Sequence, residues 1–254
     1  MHPTYFDRYP TIQFERNEKG ILLMRLHSNG GPVVYSSQHH ADWCSAFYEV
    51  GADRSNKVVI LTGTGNEFIH QFGWDKPMNS AADWDPIYWE GKRLLRNLLD
   101  IEVPVIGAVN GPASIHAELA VLSDITLATD TSFFQDFPHI SFSAVPGDGV
   151  HIVWQELLGT NRGRYFLLTS QILSAQEALN LGVINEILPQ DQLLPRAYEL
   201  AHKLASLSPL TLRYTRVAMT QRLKRLIDEN LGYGLALEGL AMLDLVQSSK
   251  INRE

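Results

Sequence analysis

The sequence predicts an α/β protein in which most strands run parallel. Residues 57–62 and 104–109 are almost continuously apolar, which is typical of strands covered on both faces. A segment with one apolar helical face lies between them, at residues 85–99, and helices dominate from residue 150 onward. A strand–helix alternation followed by a helical tail favours parallel strands joined by right-handed crossovers.

The elements at the N-terminal end are predicted from the periodicity of apolar residues. Residues 11–16 alternate polar and apolar side chains, and residues 21–26 form a second strand after a turn, so the pair predicts a β-hairpin. A helix is expected over residues 38–50. Residues 66–84 have no clear period and predict a long loop, a kind of segment that is often functional.

Helix signals place the remaining elements. Asp85 followed by Pro86 is a favourable helix start, with an Asp cap and a Pro at the first helical position. Ser174 and Glu177 form a capping box, and Ser208 with Pro209 begins another helix. Between these signals we expect a short helix over residues 116–122, a strand over 124–128 and an extended piece over 132–134.

Composition restricts the class of function. The chain has 254 residues, 45% of them hydrophobic and 19% charged, with a net charge of -7. An acidic chain of this kind disfavours nucleic acid or an anionic membrane as partner. The longest apolar runs are too short to cross a membrane, and the N-terminus lacks an apolar signal-peptide core. With a single cysteine, Cys44, these observations predict a cytoplasmic enzyme.

Two residues near the middle of the chain suggest water activation. Asp148 lies between Gly147 and Gly149 and directly before a helix, so it either caps that helix or orients a catalytic base. His139 is either a buried structural histidine or that base. A carboxylate that fixes the tautomer of an imidazole lets the other ring nitrogen accept a proton from water, and the spacing permits such a His139–Asp148 pair.

His116 and Glu238 are further candidates. His116 stands near a helix start, where its ring could donate to a carbonyl oxygen, or where it is simply a polar residue in a turn. Glu238 is an isolated carboxylate in an apolar run, and its alternative is a solvent-facing helix position. Glu118 and Asp136 lie near the suspected site without being favoured for it, and Asp124 is expected to cap a turn or end a helix.

Several common functional motifs are absent from the sequence. The nine histidines include no His-x-His and no His-Glu-x-x-His pattern, so we predict no metal. The chain contains neither a Gly-x-Ser-x-Gly elbow nor a Walker-type phosphate loop. Serine nucleophile chemistry and nucleotide hydrolysis are therefore unsupported.

A combination of short motifs resembles the crotonase (enoyl-CoA hydratase/isomerase) superfamily over nearly the whole chain. The matching stretches occur in the family's order, at residues 58–63, 104–111, 123–125, 145–149, 158–159, 164–165, 175–178 and 181–186. The resemblance implies a spiral of ββα units over residues 1–195, followed by a helical C-terminal trimerisation region over residues 196–254. It also implies a homotrimer or a dimer of trimers.

Within the superfamily the pattern is most similar to the β-diketone hydrolases of the oxocamphor hydrolase type. That branch implies cleavage of a C–C bond in a cyclic 1,3-diketone by retro-Claisen attack of water, giving a keto acid without CoA, cofactor or metal. By this resemblance His139 and Asp148 activate the water, His116 polarises the attacked carbonyl, and Glu238 lies in the site. Tyr35 matches a tryptophan that donates to substrate, and Tyr35 and His40 are lesser candidates for substrate binding.

Departures from the hydratase pattern support this branch. Hydratases form a backbone oxyanion hole for the thioester from two glycine-rich segments, but here residues 68–75 and 114–117 carry bulky side chains instead. His139 replaces a usual catalytic Glu, whereas Glu118 matches a second Glu position of the hydratases. The aromatic residues of the long loop and the following helix are candidates for an apolar pocket or for ordinary core and subunit contacts; the substrate-binding candidates among them are Phe68, Trp74, Trp84 and Trp89.

Two alternatives to the diketone hydrolase stay open. One is an acyl-CoA hydratase or isomerase, which residue types alone do not dismiss. The other is a non-catalytic binding protein on the same scaffold.

Overall fold

The computed structural model describes residues 3–251 of the chain. After a short 3-10 helix (Thr4–Asp7), the strands are β1 (Ile12–Arg16), β2 (Ile21–Leu26), β3 (Val34–Tyr35), β4 (Val58–Thr62), β5 (Gln71–Phe72), β6 (Val105–Val109), β7 (Ile125–Thr129), β8 (Phe133–Phe134), β9 (Leu173–Ser174) and β10 (Glu186–Leu188). The α-helices are α1 (Ser37–Ala52), α2 (Ala81–Asp100), α3 (Glu118–Val121), α4 (Pro138–Ser141), α5 (Val150–Leu158), α6 (Thr160–Thr169), α7 (Ala175–Asn180), α8 (Gln190–Ala205) and α9 (Pro209–Ile251).

A six-stranded sheet forms the framework, in the order β1-β2-β4-β6-β7-β10. β1 and β2 pair antiparallel as the predicted hairpin, and the other neighbouring pairs are parallel. The predicted α/β class with a mostly parallel sheet is therefore confirmed. The loops that follow β4, β6 and β7 leave the same edge of this sheet, because parallel strands end on one side.

Both faces of the sheet are covered, as the continuous apolar runs predict. In β4 the side chains of Val58 and Ile60 pack with α8 on one face, while Val59 and Leu61 belong to the larger cluster on the other face. All five residues of β4 are buried. Burial on both sides explains why the strand has no polar alternation.

A second layer of backbone pairing lies above the strand ends. β3 pairs with β5 in parallel, β8 pairs with β9 antiparallel, and isolated bridges join Ile69 to Ala113 and Ala113 to Phe134. The segments that follow β2, β4, β6 and β7 are thus held side by side, and they carry several of the polar residues described below.

Helix α2 begins earlier than Asp85 and Pro86 predict, so that predicted start is wrong. The helix begins after Ser80, whose hydroxyl accepts a hydrogen bond from the backbone N–H of Asp83 at 3.2 Å. Pro86 lies inside the helix. The serine cap provides the earlier start, and the expected loop of residues 66–84 is shortened accordingly; it also contains β5.

Helix α9 is 43 residues long and packs against α2 and α5. It passes close to the loop before α5, where a Cβ on Gly147 would lie 2.2 Å from the carbonyl oxygen of Gly234. Only glycine allows the two backbones to approach so closely. The proposed division of the chain at residue 195 falls within α8 and stays a prediction.

No helix among residues 3–251 combines the length and the apolar character that a membrane crossing needs.

Candidate active site

A cavity of about 330 Å³ opens between the loops of the second layer and the helices α2 and α9. Its apolar lining includes Phe72, Met78, Trp84, Ile87, Ile115, Pro138, Phe142, Ala144, Val150, Leu235 and Met242. The polar and ionisable side chains that reach it are Tyr35, His40, Trp74, His116, Asp136, His139, Asp148 and Glu238. No lysine or arginine lines this cavity among the described residues.

His139 lies in the short helix α4, where it is surrounded by three carboxylates. Its Nδ1 is 2.7 Å from an oxygen of Asp136, three residues earlier in the chain. Its Nε2 is 3.6 Å from Asp148 and 3.7 Å from Glu238. The carboxylate that fixes the tautomer of His139 is therefore Asp136, and Asp148 faces the opposite ring nitrogen.

His116 occupies the turn between β6 and α3 in a left-handed backbone conformation, with φ of 45°. The backbone N–H groups of Ser114 and Ile115 both donate to the carbonyl of Ile69, which anchors this turn to the preceding loop. The Nδ1 of His116 is 2.6 Å from Glu118 and 3.7 Å from Asp148. This leaves its Nε2 available to a ligand in the cavity.

Asp148 lies between the two imidazoles. One carboxylate oxygen is 3.6 Å from His139 and the other is 3.7 Å from His116. The same carboxylate accepts only a long hydrogen bond, 3.4 Å, from the backbone N–H of Val150 at the start of α5. The N-cap residue of α5 is Gly149, so the helix-capping interpretation of Asp148 is wrong, and the two histidines are its charged neighbours.

Glu238 reaches the site from α9, and its side chain is only 12% exposed. Its Cβ would lie 2.9 Å from a Cβ on Gly147, so the close approach of α9 to that loop brings its carboxylate to His139. The solvent-facing alternative for Glu238 is therefore wrong in this structure.

Burial and neighbouring charges shift the pKa values of this group strongly. Burial alone would lower the pKa of each histidine, but the carboxylate of Glu118 raises the pKa of His116 to about 8. Asp148 and Asp136 likewise hold the pKa of His139 well above its usual value. Burial raises the pKa of Glu238 to about 7, whereas the two imidazoles overcome burial and lower the pKa of Asp148. At neutral pH both histidines therefore favour the charged form, with Asp148 ionised between them.

Several buried polar atoms at the site lack a hydrogen-bond partner within the described residues. These are the Tyr35 hydroxyl, the Trp74 indole nitrogen and one oxygen each of Glu118, Asp136 and Glu238. Burial raises the pKa of Tyr35 well above its usual value, so its phenol stays neutral and can donate. Buried polar groups are normally paired, so those of these residues that line the cavity, namely Tyr35, Trp74, Asp136 and Glu238, offer polar atoms to a ligand or to water.

Two of the predicted substrate-binding residues lie elsewhere. Phe68 is fully buried in the core under the loop that follows β4, and Trp89 is 51% exposed, with Arg93 stacked over its ring. Trp89 is on another face of α2 than Trp84, which does line the cavity and donates its indole N–H to the carbonyl of Leu235. Sequence proximity in an aromatic-rich segment did not specify the helix face.

His40 lines the cavity from α1 and forms a 2.7 Å contact with Glu90 of α2. Sequence reasoning did not find Glu90, because fifty residues separate the partners and no local pattern links them. Asp136 and Glu118 were noticed without being favoured. Their spacing from His139 and His116, three and two residues, is the signal that could have singled them out.

Three side chains of this site carry oxygen and nitrogen atoms at the spacing that a metal ion needs. The nitrogen of His116 and oxygens of Glu118 and Asp148 lie within 4.8 Å of one another. In the structure, however, His116 and Glu118 bond directly to each other. The expectation of a site without metal or cofactor stays a prediction.

Comparisons with known proteins identify the family of the chain. A family model described as enoyl-CoA hydratase/isomerase matches residues 16–238. A probable peroxisomal enoyl-CoA hydratase of Arabidopsis thaliana is 28% identical over 240 residues, covering 89% of this chain and 83% of that protein. A Salmonella carnitinyl-CoA dehydratase is 32% identical over 173 residues, which are 66% of this chain and 64% of the dehydratase.

Among solved structures, a β-diketone hydrolase from the cyanobacterium Anabaena sp. PCC 7120, bound to (S)-3-oxocyclohexyl acetic acid, is 50% identical and superposes with a TM-score of 0.94. The match covers 96% of this chain and 98% of the hydrolase. An enoyl-CoA hydratase/isomerase from Mycobacterium paratuberculosis, 22% identical with a TM-score of 0.84, covers 94% of this chain and 98% of its own and shares the fold.

The predicted crotonase-type fold is thereby confirmed. The chain belongs to the enoyl-CoA hydratase/isomerase (crotonase) superfamily, in which it resembles the β-diketone hydrolase branch.

Proposed function

We propose that the protein is a hydrolase that opens a cyclic 1,3-diketone by attack of water on one carbonyl, giving a keto acid. The observation that carries this proposal is the combination of a compact ionisable cluster with an otherwise apolar cavity lining. Two carboxylate-bonded imidazoles, His116 and His139, lie around Asp148, and the remaining lining is largely apolar. An uncharged carbocycle with two carbonyl oxygens fits such a surface.

The first step is addition of water. The Nε2 of His139 lies 3.7 Å from a carboxylate oxygen of Glu238 and 3.6 Å from Asp148, so the three groups titrate as one coupled unit. With a single proton on the pair, transfer from His139 to Glu238 leaves a neutral imidazole that accepts a proton from water. The hydroxide oxygen bonds to the carbonyl carbon, and the carbonyl oxygen becomes an alkoxide.

His116 is suited to stabilise that alkoxide. Its Nδ1 is held by Glu118, and its pKa of about 8 keeps the ring protonated at neutral pH. The Nε2–H then donates to the oxygen as its charge develops, which is the most effective place for a fixed donor. The hydroxyl of Tyr35, whose ring centroid is 4.7 Å from that of His116, supplies a neutral donor nearby.

The second step breaks the C–C bond. The alkoxide reforms a C=O bond, and the electron pair of the broken bond moves to the second ketone as a delocalised enolate. The proton held by the His139–Glu238 pair returns to the enolate carbon. The sum of both steps is one water added and one C–C bond cleaved.

A CoA thioester is less compatible with this cavity. The N–H groups of Ser114 and Ile115 are already bonded to Ile69. In addition, no lysine or arginine of the described residues lines the cavity to receive the phosphates of CoA. Because an enoyl-CoA hydratase and a carnitinyl-CoA dehydratase are among the relatives, the test below includes this alternative.

Incubation with a panel of monocyclic and bridged bicyclic 1,3-diketones tests the proposal. The panel should include the bridged diketone that water would open to 3-oxocyclohexyl acetic acid, the ligand of the Anabaena hydrolase. We expect keto acid to form with consumption of one water per diketone. No turnover across the panel, together with calorimetric binding of crotonyl-CoA, would replace the proposal by the hydratase alternative. No turnover, no binding of crotonyl-CoA and an unchanged thermal midpoint with every diketone tried would favour a non-catalytic binding protein for another kind of ligand.

We also propose that the chain forms a trimer or a dimer of trimers. Large apolar side chains are exposed on α6 and α9, including Leu168, Tyr233 and Leu240, each of them 67% exposed or more. Burying such side chains between subunits is favourable. Light scattering coupled to size exclusion gives the subunit number directly, and a monomer would contradict this expectation.

A further inference from the structure

The mechanism above leaves one imidazole of the cavity unused. His40, 4% exposed, lines the cavity, and its Nδ1 is 2.7 Å from a carboxylate oxygen of Glu90. The bond joins α1 to α2, and the Glu90 side chain is 18% exposed. The ring of His40 lies 6.2 Å from that of His116 and 6.1 Å from that of Trp74, centroid to centroid.

The bond to Glu90 determines the tautomer of His40. A carboxylate accepts hydrogen bonds and cannot donate them, so the ring proton lies on Nδ1. Burial lowers the pKa of His40 and outweighs the opposing effect of Glu90. A neutral ring with its proton on Nδ1 has a lone pair on Nε2. His40 thus differs from His116 and His139, which favour the charged form.

We propose that Glu90 is a positioning residue that holds His40 as a proton acceptor, and that Nε2 of His40 takes the hydroxyl proton of the tetrahedral intermediate. The assignment rests on the proposed diketone hydrolysis. It adds a third imidazole to that reaction, at the end of the cavity where His116 binds the alkoxide oxygen of the same carbon.

The step is balanced in atoms and electrons. The intermediate carries one alkoxide oxygen and one hydroxyl. As the C–C bond breaks, its electron pair goes to the enolate, and the hydroxyl proton goes to Nε2 while the O–H electron pair stays on oxygen. The product is then a carboxylate rather than a carboxylic acid, and the charged His40, which its buried position disfavours, releases the proton to water when the product leaves.

A double-mutant cycle tests this role in the full-length protein. Glu90→Gln keeps the shape of the side chain but allows its amide to donate to Nδ1, which moves the ring proton to Nε2. We expect Glu90→Gln to lower kcat by about tenfold or more, with KM changed much less, since the acceptor acts on the intermediate. If Glu90 acts through His40, the Glu90→Gln change has no further effect in a His40→Ala background.

A matched control lies on the same helix. Asp85 is exposed on α2 and does not line the cavity, so Asp85→Asn should leave kcat unchanged. Wild-type kcat in Glu90→Gln, or losses that multiply in the double variant, would overturn the assignment.

The tautomer can be read without any substrate. In protein labelled with nitrogen-15 at histidine, the His40 signals are identified by their loss in His40→Ala. We expect an unprotonated Nε2 in the wild type and a protonated Nε2 in Glu90→Gln. A wild-type His40 with its proton on Nε2 would overturn the positioning role even if diketones are hydrolysed. Absence of diketone turnover together with the expected tautomer would instead count against the proposed function.

Discussion

Three imidazoles around one cavity are built alike and yet differ in charge. In each, Nδ1 lies 2.6–2.7 Å from a carboxylate oxygen: His40 with Glu90, His116 with Glu118 and His139 with Asp136. Their pKa values nevertheless differ in direction, lowered for His40, raised to about 8 for His116 and raised well above the usual value for His139.

The number of carboxylates in contact with each ring, together with the repulsion between His40 and the neighbouring His116, explains the difference. Within 4.0 Å, among the described residues, His40 meets one carboxylate, His116 meets two and His139 meets three. Burial disfavours the charged form in all three, and one carboxylate does not outweigh it. Two or three do, so the site contains both charged donors and a neutral acceptor made from the same residue type.

Asp148 should have the largest effect, because it is the carboxylate that His116 and His139 share. We expect Asp148→Asn to lower kcat on the order of 10³-fold. The change removes the negative charge that keeps the His116 donor protonated, and it also disturbs proton exchange between His139 and Glu238. Product formation with the best diketone of the panel measures the loss. The exposed Asp130 is the control, and Asp130→Asn should retain full activity. A loss no larger than a few-fold in Asp148→Asn would show that the two histidines act independently of it.

His116 tests the donor alone. We expect His116→Ala to lower kcat on the order of 10²-fold, the usual cost of losing an oxyanion donor. His116→Asn should retain more activity, because asparagine tolerates the left-handed conformation at φ of 45° and still donates from its amide. Steady-state kinetics of the two variants, with thermal midpoints to verify folding, gives the comparison. Equal activity of Ala and Asn variants would contradict the donor role.

Local sequence patterns predict much of the fold but not the arrangement of the site. The hairpin, the buried strands β4 and β6 and the capping box of α7 follow from periodicity and capping, because those signals act within a few residues. Residue context makes His116, His139, Asp148 and Glu238 candidates, and the resemblance to a known family assigns their roles. The fold then brings them together over distances that no local pattern encodes.

The partner of each histidine was harder to predict, for the same physical reason. Asp148 was expected to fix the tautomer of His139, but the structure gives that place to Asp136, three residues away on the same turn. Glu90 reaches His40 only because α1 and α2 pack side by side. Trp89 and Phe68 were predicted to bind substrate, but Trp89 is exposed to solvent and Phe68 is buried in the core. Closeness to a site in sequence does not determine which way a side chain faces.

The pH dependence separates the charged donor from the base. Glu238, with a pKa of about 7, must be ionised for the pair to hold a single proton, so kcat/KM should rise as pH increases through about 7. His116, with a pKa of about 8, must be protonated, so kcat/KM should fall as pH increases through about 8. Glu238→Gln should lower kcat about tenfold and remove the rising limb. A rising limb that persists in Glu238→Gln would assign it to another group.

Tyr35 should give the smallest effect, because its hydroxyl is a neutral donor beside a charged one. Tyr35→Phe keeps the ring that lies against His116 and removes only the unpartnered hydroxyl. A neutral hydrogen bond contributes about 0.5–1.5 kcal/mol, so we expect kcat/KM to fall by roughly two- to twelvefold. Tyr48, 67% exposed on α1, is the matched control, and Tyr48→Phe should have wild-type kinetics. If Tyr35→Phe instead matched the loss in His116→Ala, the alkoxide would depend on the phenol as much as on the imidazolium, and the ranking by charge would fail.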